Sequence, residues 1–330
     1  MAKLELTMAS WDYDRVRPLS DGSIEPDGIS LNILNLPVEE TFFRMIRYGE
    51  FDVAEMSLSS YVISMFRDNP PFVAIPVFPS RSFRHSNIFI NNESGISTPA
   101  DLCGKRAGLP EYQLTACVWI RGILSDEYEV PVQSPIYYVG GQEEPGRIEK
   151  QKLDLPPEIK IVQLGPDQTL SRMLEDGEID AIYSPRTPST LETGKNVRRL
   201  FENYNEMEIE YFKKTRIFPI MHTLVIRKEI YEKHPWVAQS LQKAMLAAQQ
   251  KCYEDMRETA ALKYMLPWLI FHEQQTREVM GDDFWPYGLG EDNRLVLDTF
   301  LRYSFEQGMA SRKLKPEELF VPEALERFRI

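Results

Sequence analysis

Two histidines and one glutamate occupy positions from which their side chains could transfer protons. His85 directly precedes a short apolar strand, and His222 lies in a strongly β-type run. Imidazole is the side chain whose ordinary pKa best suits proton transfer near neutral pH. Glu55 interrupts an otherwise apolar strand, which indicates a carboxylate at a cleft edge or a buried acid with a raised pKa. These three residues are our candidate catalytic groups, although a histidine bonded to backbone in the core would have the same local sequence.

Cationic, hydroxyl and aromatic side chains follow several of the predicted strands and could bind an anion or stack on a ring. Guanidinium groups bind carboxylates through two hydrogen bonds, more tightly than Lys does. The candidate cations are Arg15, Arg81, Arg84 and Arg186. Surface pairing of Arg15 and Arg17 with Asp12 and Asp14 is the structural alternative. The other candidate binding residues are Trp11, Tyr13, Ser57, Ser59, Tyr112, Thr115 and Ser184, of which Tyr112 and Thr115 precede a helix whose free amides can receive an anion.

A repeated unit positions many of these candidates. Residues 45–57 and 173–184 each contain the end of an amphipathic helix, a glycine, an acidic residue and a buried strand that ends in a serine. Gly49 and Gly177 suit the left-handed position just past a helix. The repeats are too far apart for a solenoid, so one unit in each of two lobes is predicted. Because ligands of open α/β sheets bind at the carboxyl ends of strands, we expect both repeats to face a shared cleft.

The chain of 330 residues is long enough for two domains. The alternation of strands and helices predicts an α/β protein with two Rossmann-like lobes joined by a two-strand hinge. The strand after His85 and the strand that contains His222 are the predicted crossings, and the two imidazoles could lie near each other if these crossings are adjacent. Lobe 1 is predicted to be discontinuous, residues 1–91 and 220–330, with its carboxyl-terminal helices packed on it. Lobe 2 is the inserted segment 92–219. Residues 140–157 form a long predicted loop, which would be an arm or lid.

Composition excludes several classes of protein. A net charge of −12 argues against binding to nucleic acid or to an anionic membrane surface. The amino-terminal segment predicts a first strand rather than a signal peptide, and three scattered cysteines suit a reducing compartment, so we expect a cytoplasmic protein. The sequence contains no phosphate loop, dinucleotide fingerprint or closely spaced histidines. A metal held by Glu55, His85 and His222 stays open.

The chain resembles a known family at the same segments. The repeat, the turn over residues 26–31 and the segment 98–106 resemble the type II periplasmic binding protein fold. Within that fold, essentially the whole chain is similar to the 4,5-dihydroxyphthalate decarboxylases. The matching segments are residues 12–22, 54–61, 76–85, 108–116 and 218–223. Each falls at a predicted strand end or at the predicted hinge.

The resemblance implies a carboxy-lyase that converts 4,5-dihydroxyphthalate to 3,4-dihydroxybenzoate without an organic cofactor, in the cleft between the lobes. His85 or His222 would protonate the ring carbon that loses its carboxylate. Glu55 or the other histidine would deprotonate the para hydroxyl, and the arginines would hold the second carboxylate. The partner is then a small aromatic dicarboxylate. Ring substituents, a metal requirement and a homo-oligomer stay open.

Two other classes of protein share part of this pattern. A non-catalytic solute-binding protein for an aromatic carboxylate would use the same cleft residues, but it would need a signal peptide to leave the cell. The thiamine-pyrimidine synthases also resemble this fold, but they would require a Cys-rich motif near the active-site histidine. Three scattered cysteines do not provide that motif.

Overall fold

Residues 2–325, which the computed structural model describes, divide into two α/β units. The first unit comprises residues 2–81, 220–298 and 314–325, and the second comprises residues 82–219 and 299–313. The strands are β1 (Leu4–Ser10), β2 (Ile29–Asn35), β3 (Val53–Ser57), β4 (Phe72–Ile75), β5 (Ile88–Asn91), β6 (Arg106–Leu109), β7 (Ile136–Val139), β8 (Lys160–Gln163), β9 (Ala181–Tyr183), β10 (Val197–Arg199) and β11 (His222–Arg227). The helices are α1 (Arg17–Ser20), α2 (Val38–Tyr48), α3 (Leu58–Ser64), α4 (Thr115–Tyr128), α5 (Leu170–Glu175), α6 (Thr190–Thr193), α7 (Tyr204–Thr215), α8 (Lys228–Lys233), α9 (Trp236–Arg257), α10 (Leu269–Met280) and α11 (Glu291–Glu306). No helix in this part of the chain is both long and apolar enough to cross a membrane.

The first unit is built on a five-stranded sheet in the order β2-β1-β3-β11-β4. Strand β3 lies parallel to β1 and antiparallel to β11, and all five of its residues are buried. Helix α2 precedes β3 and ends at Gly49, whose φ of 57° is strained for a residue with a Cβ atom. The first copy of the repeat thus forms the helix, glycine and buried strand that the sequence predicts.

The second unit is built on a six-stranded sheet in the order β10-β5-β9-β6-β7-β8. Strand β9 lies parallel to β6 and antiparallel to β5, as β3 does to its own two neighbours. Its core contains Phe89, Leu170, Met173, Leu174, Ile179, Ile182 and Val197. The second copy of the repeat therefore occupies the corresponding place in its own sheet.

The two units divide the chain at different residues from the predicted lobes. Strand β5, expected in the first lobe, belongs to the second sheet, and β11 belongs to the first, so neither is a strand that crosses between lobes. The chain leaves the first unit after Arg81 and returns at Ile220, and these two residues form an isolated antiparallel bridge.

The carboxyl-terminal helices also depart from the prediction, because residues 299–313 belong to the second unit. Phe300 and Tyr303 of α11 pack against Trp119 of α4, with ring centroids 5.5 and 5.6 Å away. A Cβ atom at Gly122 of α4 would lie 2.2 Å from the ring of Tyr303. The glycine therefore admits the tyrosine, a close packing that helical periodicity could not predict.

Candidate functional site

A buried carboxylate with four hydrogen-bond donors lies in the middle of β3. The side chain of Glu55 has no exposed surface. Its Oε1 accepts hydrogen bonds from the Tyr13 hydroxyl at 2.7 Å and from His222 Nδ1 at 2.6 Å. Its Oε2 accepts from the Trp11 amide at 3.0 Å and the Ser10 hydroxyl at 3.3 Å. The end of β1, the middle of β3 and the start of β11 thus supply one polar cluster.

The electrostatics of Glu55 favour its ionised form. Burial by itself would raise the pKa of this carboxyl group. The charge and hydrogen bond of His222, together with the Trp11 amide and the Tyr13 hydroxyl, outweigh burial and lower the pKa. The sequence prediction of a buried acid is therefore right about burial, but the pKa moves in the opposite direction from the one expected. An ionised, fully bonded carboxylate is suited to orient a partner.

His222 is oriented by two contacts. Because Glu55 is an ionised acceptor, Nδ1 of His222 must carry the proton of their hydrogen bond. The ring edge of His222 also meets Phe42 of α2, with ring centroids 4.8 Å apart at 78°. The side chain is 15% exposed. Its second nitrogen, Nε2, is therefore the one that can meet a substrate.

Arg15 forms internal contacts beside this cluster. Its guanidinium lies 4.1 Å from the ring centroid of Tyr13 and 4.3 Å from that of Trp285. Its Nε donates to the Pro79 carbonyl at 2.7 Å, and Nη1 pairs with Asp14 at 2.9 Å. Arg15 therefore pairs with Asp14, as the structural alternative predicts, although its side chain is mostly buried.

The two serines after β3 are both buried. Ser57 lies opposite His222 in the register of β3 and β11. It also caps α3, since its hydroxyl accepts a hydrogen bond from the Ser60 amide at 3.4 Å. Ser59 lies in the first turn of α3. Trp11, at the end of β1, is 46% exposed. The structure thus brings together Trp11, Tyr13, Arg15, Glu55, Ser57 and His222, with Ser59 in the following turn.

Arg81 and Arg84 are buried. Arg81 donates to the Pro286 carbonyl at 2.8 Å and to the side chain of Asn293, and it thereby ties down the segment before α11. Arg84 belongs to the second unit and donates to Asn87 at 3.0 Å. Burial lowers the pKa of each guanidinium to about 10. Both contacts are internal to the fold.

His85 belongs to the second unit, whereas His222 belongs to the first. Its ring is 1% exposed and packs against Tyr128, Phe201 and Tyr211, with centroids 5.2 to 5.9 Å away. Neither ring nitrogen has a hydrogen-bond partner within residues 2–325. Burial lowers the pKa of His85 to about 4, so the imidazole is neutral near pH 7. The sequence placed the two imidazoles near each other only on the condition that their strands were adjacent crossings, and β5 and β11 instead belong to separate sheets.

The remaining candidates lie at strand ends of the second unit. Tyr112 follows β6 and donates its hydroxyl to the Gln307 carbonyl at 3.2 Å. Thr115 is the first residue of α4 and is buried. Ser184 follows β9, donates to Gln142 and accepts the amide of Arg186 at 3.2 Å. The side chain of Arg186 is exposed.

The long loop predicted over residues 140–157 is fastened to the second unit by ion pairs. Buried Glu111 pairs with Arg147 at 2.7 Å and with Lys150. The Glu149 carboxylate accepts from the Tyr112 amide and from Gln113 Nε2 at 2.8 Å. Burial raises the pKa of Glu149. Glu111, which follows β6, therefore holds the loop by ion pairs, and Glu149 of the loop binds the Tyr112 amide. The segment of Tyr112 and Thr115 is the one for which the sequence predicts a bound anion.

Glu55, His85 and His222 do not assemble a metal centre. Within residues 2–325, no group of three His, Cys, Asp or Glu side chains is placed to hold a metal ion. Glu55 and His222 make one pair, and its further neighbours are a phenol, a serine and a backbone amide.

Sequence reasoning missed three members of the site. Ser10 is the last residue of β1, and Phe42 lies on the buried face of α2. Trp285 stacks on Arg15 but lies 270 positions along the chain, in a segment rich in Pro and Gly. Only the strand end at Ser10 carried a local signal, because contacts between distant segments leave no periodicity in the sequence.

The chain is similar to two curated proteins. A 4,5-dihydroxyphthalate decarboxylase of Comamonas testosteroni is 43% identical over 331 aligned residues, which cover the whole of both chains. Another, of Pseudomonas putida, is 44% identical over 194 residues, 59% of this chain and 75% of that protein. A scan of protein-family models found no match.

Among solved structures, a periplasmic sulfonate-binding protein of Methylobacillus flagellatus aligns over 98% of this chain and 93% of its own. The TM-score is 0.57 at 13% sequence identity, a likeness of fold alone. It confirms the prediction of a two-lobed α/β fold of the periplasmic binding protein type.

Proposed function

Because this chain belongs to the 4,5-dihydroxyphthalate decarboxylase family, we propose that it is a carboxy-lyase that converts 4,5-dihydroxyphthalate to 3,4-dihydroxybenzoate and carbon dioxide. The substrate would be a small aromatic dicarboxylate. The single observation that carries the mechanism is the buried Glu55 carboxylate, which holds His222 Nδ1 at 2.6 Å.

The proposed reaction needs one acid and no external electron acceptor. A hydroxyl para to the leaving carboxylate loses its proton to solvent, and the electron pair of its oxygen is delocalised to the ring carbon that bears the carboxylate. His222 Nε2 gives a proton to that carbon, which becomes tetrahedral. The bond to the carboxylate then breaks, its electron pair restores the aromatic ring, and the para oxygen regains its proton. One proton is consumed for each carbon dioxide released.

Glu55 supports the role of His222 as the acid through its hydrogen bond to Nδ1, the ring nitrogen that does not meet the substrate. The carboxylate is fully buried, so we assign to it the orientation of His222 and the stabilisation of the imidazolium, rather than the removal of the hydroxyl proton. Its four donors hold the carboxylate in place beside His222 Nδ1. His85 is a poorer candidate acid, since the lowered pKa of about 4 leaves it neutral.

Exposed groups at strand ends of each unit have the chemistry that binding an aromatic carboxylate requires. The half-exposed indole of Trp11 follows β1, and its own backbone amide binds Glu55, so it is a suitable surface for an aromatic ring. The exposed guanidinium of Arg186, two residues after Ser184, suits a carboxylate. Arg15 and Arg81 are weaker candidates for that contact, because internal carbonyls and side chains already use their donors.

We also propose that the protein is cytoplasmic. Cys103, Cys117 and Cys252 are all free thiols, which suits a reducing compartment. The proposed substrate is a small anion, and the net charge of −12 gives no reason to add nucleic acid as a partner.

The first test is His222→Gln, assayed with 4,5-dihydroxyphthalate by the release of carbon dioxide and 3,4-dihydroxybenzoate. Turnover should fall by about 100-fold or more, because general acid catalysis typically contributes that much. Substrate binding and the thermal midpoint should change little. His272→Gln on the exposed face of α10 is the matched control and should retain wild-type turnover.

Either of two results would contradict the proposal. Unchanged turnover in His222→Gln removes the histidine from the mechanism. Binding of 4,5-dihydroxyphthalate by wild type without any product identifies a solute-binding protein instead. The assay is repeated with a chelator, and lost turnover on chelation would show that a metal takes part.

A further inference from the structure

Tyr13 is bonded to the same carboxylate oxygen as His222. We infer that Tyr13 is a positioning residue for the Glu55–His222 pair, and that Arg15 and Trp285 hold the tyrosine in place. The inference rests on the proposed function of His222. It gives Tyr13 and Arg15 a different task from the substrate contacts that the sequence suggests.

The geometry at Glu55 leaves little freedom to the carboxylate. Oε1 has two lone pairs in the carboxylate plane, and its two donors are Tyr13 Oη at 2.7 Å and His222 Nδ1 at 2.6 Å. Oε2 is held by the Trp11 amide and the Ser10 hydroxyl. Loss of the Tyr13 hydroxyl would leave His222 Nδ1 as the remaining donor to Oε1.

Tyr13 can serve only as a donor in this contact. Burial and the charge of Glu55 together raise the pKa of the phenol far above its usual range. The charged groups that face it are Glu55 and Arg15, and Ser80 adds a side-chain hydrogen bond. The phenol therefore keeps its proton at every pH at which the protein is folded, and its hydrogen bond draws negative charge from Oε1.

The ring of Tyr13 is fixed by a stack of three side chains. The Arg15 guanidinium lies between the rings of Tyr13 and Trp285, at 4.1 and 4.3 Å from their centroids. Arg15 is tied to the Pro79 carbonyl and to Asp14. Trp285 is tied through Nε1 to the Phe78 carbonyl at 2.9 Å. All of these contacts lie within the first unit.

A shared acceptor has a consequence for proton transfer. With Tyr13 in place, Oε1 divides its negative charge between two donors, so it binds the imidazolium of His222 less strongly than a carboxylate with one donor would. Without the phenol, Glu55 becomes more basic and holds the His222 proton more tightly. The pair should then release that proton at a higher pH and transfer it more slowly to carbon.

The test is Tyr13→Phe, which keeps the ring on Arg15 and removes only the hydroxyl. Because a hydrogen bond to a charged group is lost, kcat for 4,5-dihydroxyphthalate should fall by about 10- to 100-fold while KM changes less than about threefold. The pH at which the His222 ring signal titrates in NMR spectra should rise. His222→Gln assigns that signal.

Tyr231→Phe is the matched control, because Tyr231 also donates to a carboxylate, that of Glu323, at 2.7 Å and away from the site. It should leave kcat and the His222 titration unchanged. A Tyr13→Phe protein with the titration and kcat of wild type overturns the inference. Because the NMR titration needs no turnover, it decides the role of Tyr13 even if the decarboxylase proposal fails.

Arg15→Lys is the second variant, and it keeps the Tyr13 hydroxyl and the positive charge but removes the planar stack. We expect a loss of kcat smaller than that of Tyr13→Phe and a shift of the titration in the same direction. A larger loss of kcat, with a raised KM and an unshifted titration, would instead place Arg15 on the substrate and remove it from the positioning role.

Discussion

The two copies of the repeat form the same backbone structure. Gly49 and Gly177 both have positive φ, 57° and 73°, and each ends a helix that leads into a buried strand. Strands β3 and β9 each lie between one parallel and one antiparallel neighbour. Whatever distinguishes the repeats must therefore come from their side chains.

The aspartates of the two repeats perform the same structural task. Asp52 accepts the Thr7 amide at 2.9 Å and pairs with Arg227 at 3.0 Å. Asp180 accepts the Arg106 amide at 2.8 Å and pairs with the guanidinium of the same residue at 2.8 Å. Each carboxylate fastens the start of its strand to a neighbouring strand, so the feature that the repeats share most visibly in sequence is architectural.

The repeats differ three residues after the aspartate. Glu55 has four donors there, whereas Tyr183 at the corresponding place has a buried hydroxyl with no hydrogen-bond partner among residues 2–325. Opposite Glu55 lies Leu224, two residues after His222, while Ile88 lies opposite Tyr183. The two copies of the repeat thus share a backbone structure, but the first copy contains the ionised Glu55 and the second contains the aromatic Tyr183 at the same position.

The largest expected effect comes from substitution at these corresponding positions. Glu55→Gln should lower kcat for 4,5-dihydroxyphthalate by on the order of 10²–10⁴-fold, because His222 loses its anionic partner. Tyr183→Phe should leave kcat unchanged and shift the free energy of unfolding by less than about 0.5 kcal/mol, since it removes an unbonded hydroxyl. Steady-state kinetics and urea unfolding check both variants. If Glu55→Gln and Tyr183→Phe lowered kcat to a similar extent, the assignment of the catalytic pair to the first repeat alone would be wrong.

A second comparison concerns the two histidines, of which only His222 is hydrogen-bonded to a carboxylate. The pKa of His85 is lowered to about 4 by burial, from about 6.5 in an unfolded chain. The unfolded state therefore binds the proton more readily, so the contribution of His85 to stability is complete above about pH 6.5 and is lost as pH falls towards 4. At pH 5 the loss should be about 2 kcal/mol.

His85→Phe should remove that dependence, because a phenyl ring fills the aromatic cluster and takes up no proton. Urea unfolding midpoints at pH 7.5 and 5.0 measure the effect. The variant should resemble wild type at pH 7.5 and exceed it at pH 5.0. An equal decline of both proteins with acid would show that His85 is not buried as a neutral side chain.

The smallest effect is expected at the glycines, and it should be the same in both repeats. Gly49→Ala and Gly177→Ala force a Cβ atom into the left-handed region, where no other atom lies closer than 3.8 Å. Each should therefore cost about 1 kcal/mol through backbone strain alone. Urea unfolding of the two single variants checks this equality, with kcat unchanged. A cost much larger at one position would mean that the repeats are less alike than their backbones indicate.

The sequence alone determined the elements that local patterns encode. The end of helix α2, the glycine that follows it and the buried strand β3 were predicted in their observed order, because helical periodicity, a left-handed glycine and an apolar run are all local signals. Glu55 and His222 were identified for the same reason: a charged side chain in a buried strand, and a titratable ring at the end of another, are visible without the fold.

Only the tertiary structure decided which of these residues meet. The register of β3 and β11 joins Glu55 to His222 across 167 positions, and the pairing of β5 in the second sheet assigns His85 to the other unit. Stacking brings Trp285 onto Arg15, and Gly122 admits Tyr303. Such contacts depend on strand pairing and side-chain packing between distant segments. The hydrophobic pattern of each segment shows which of its faces is buried, but it does not show which distant segment covers that face.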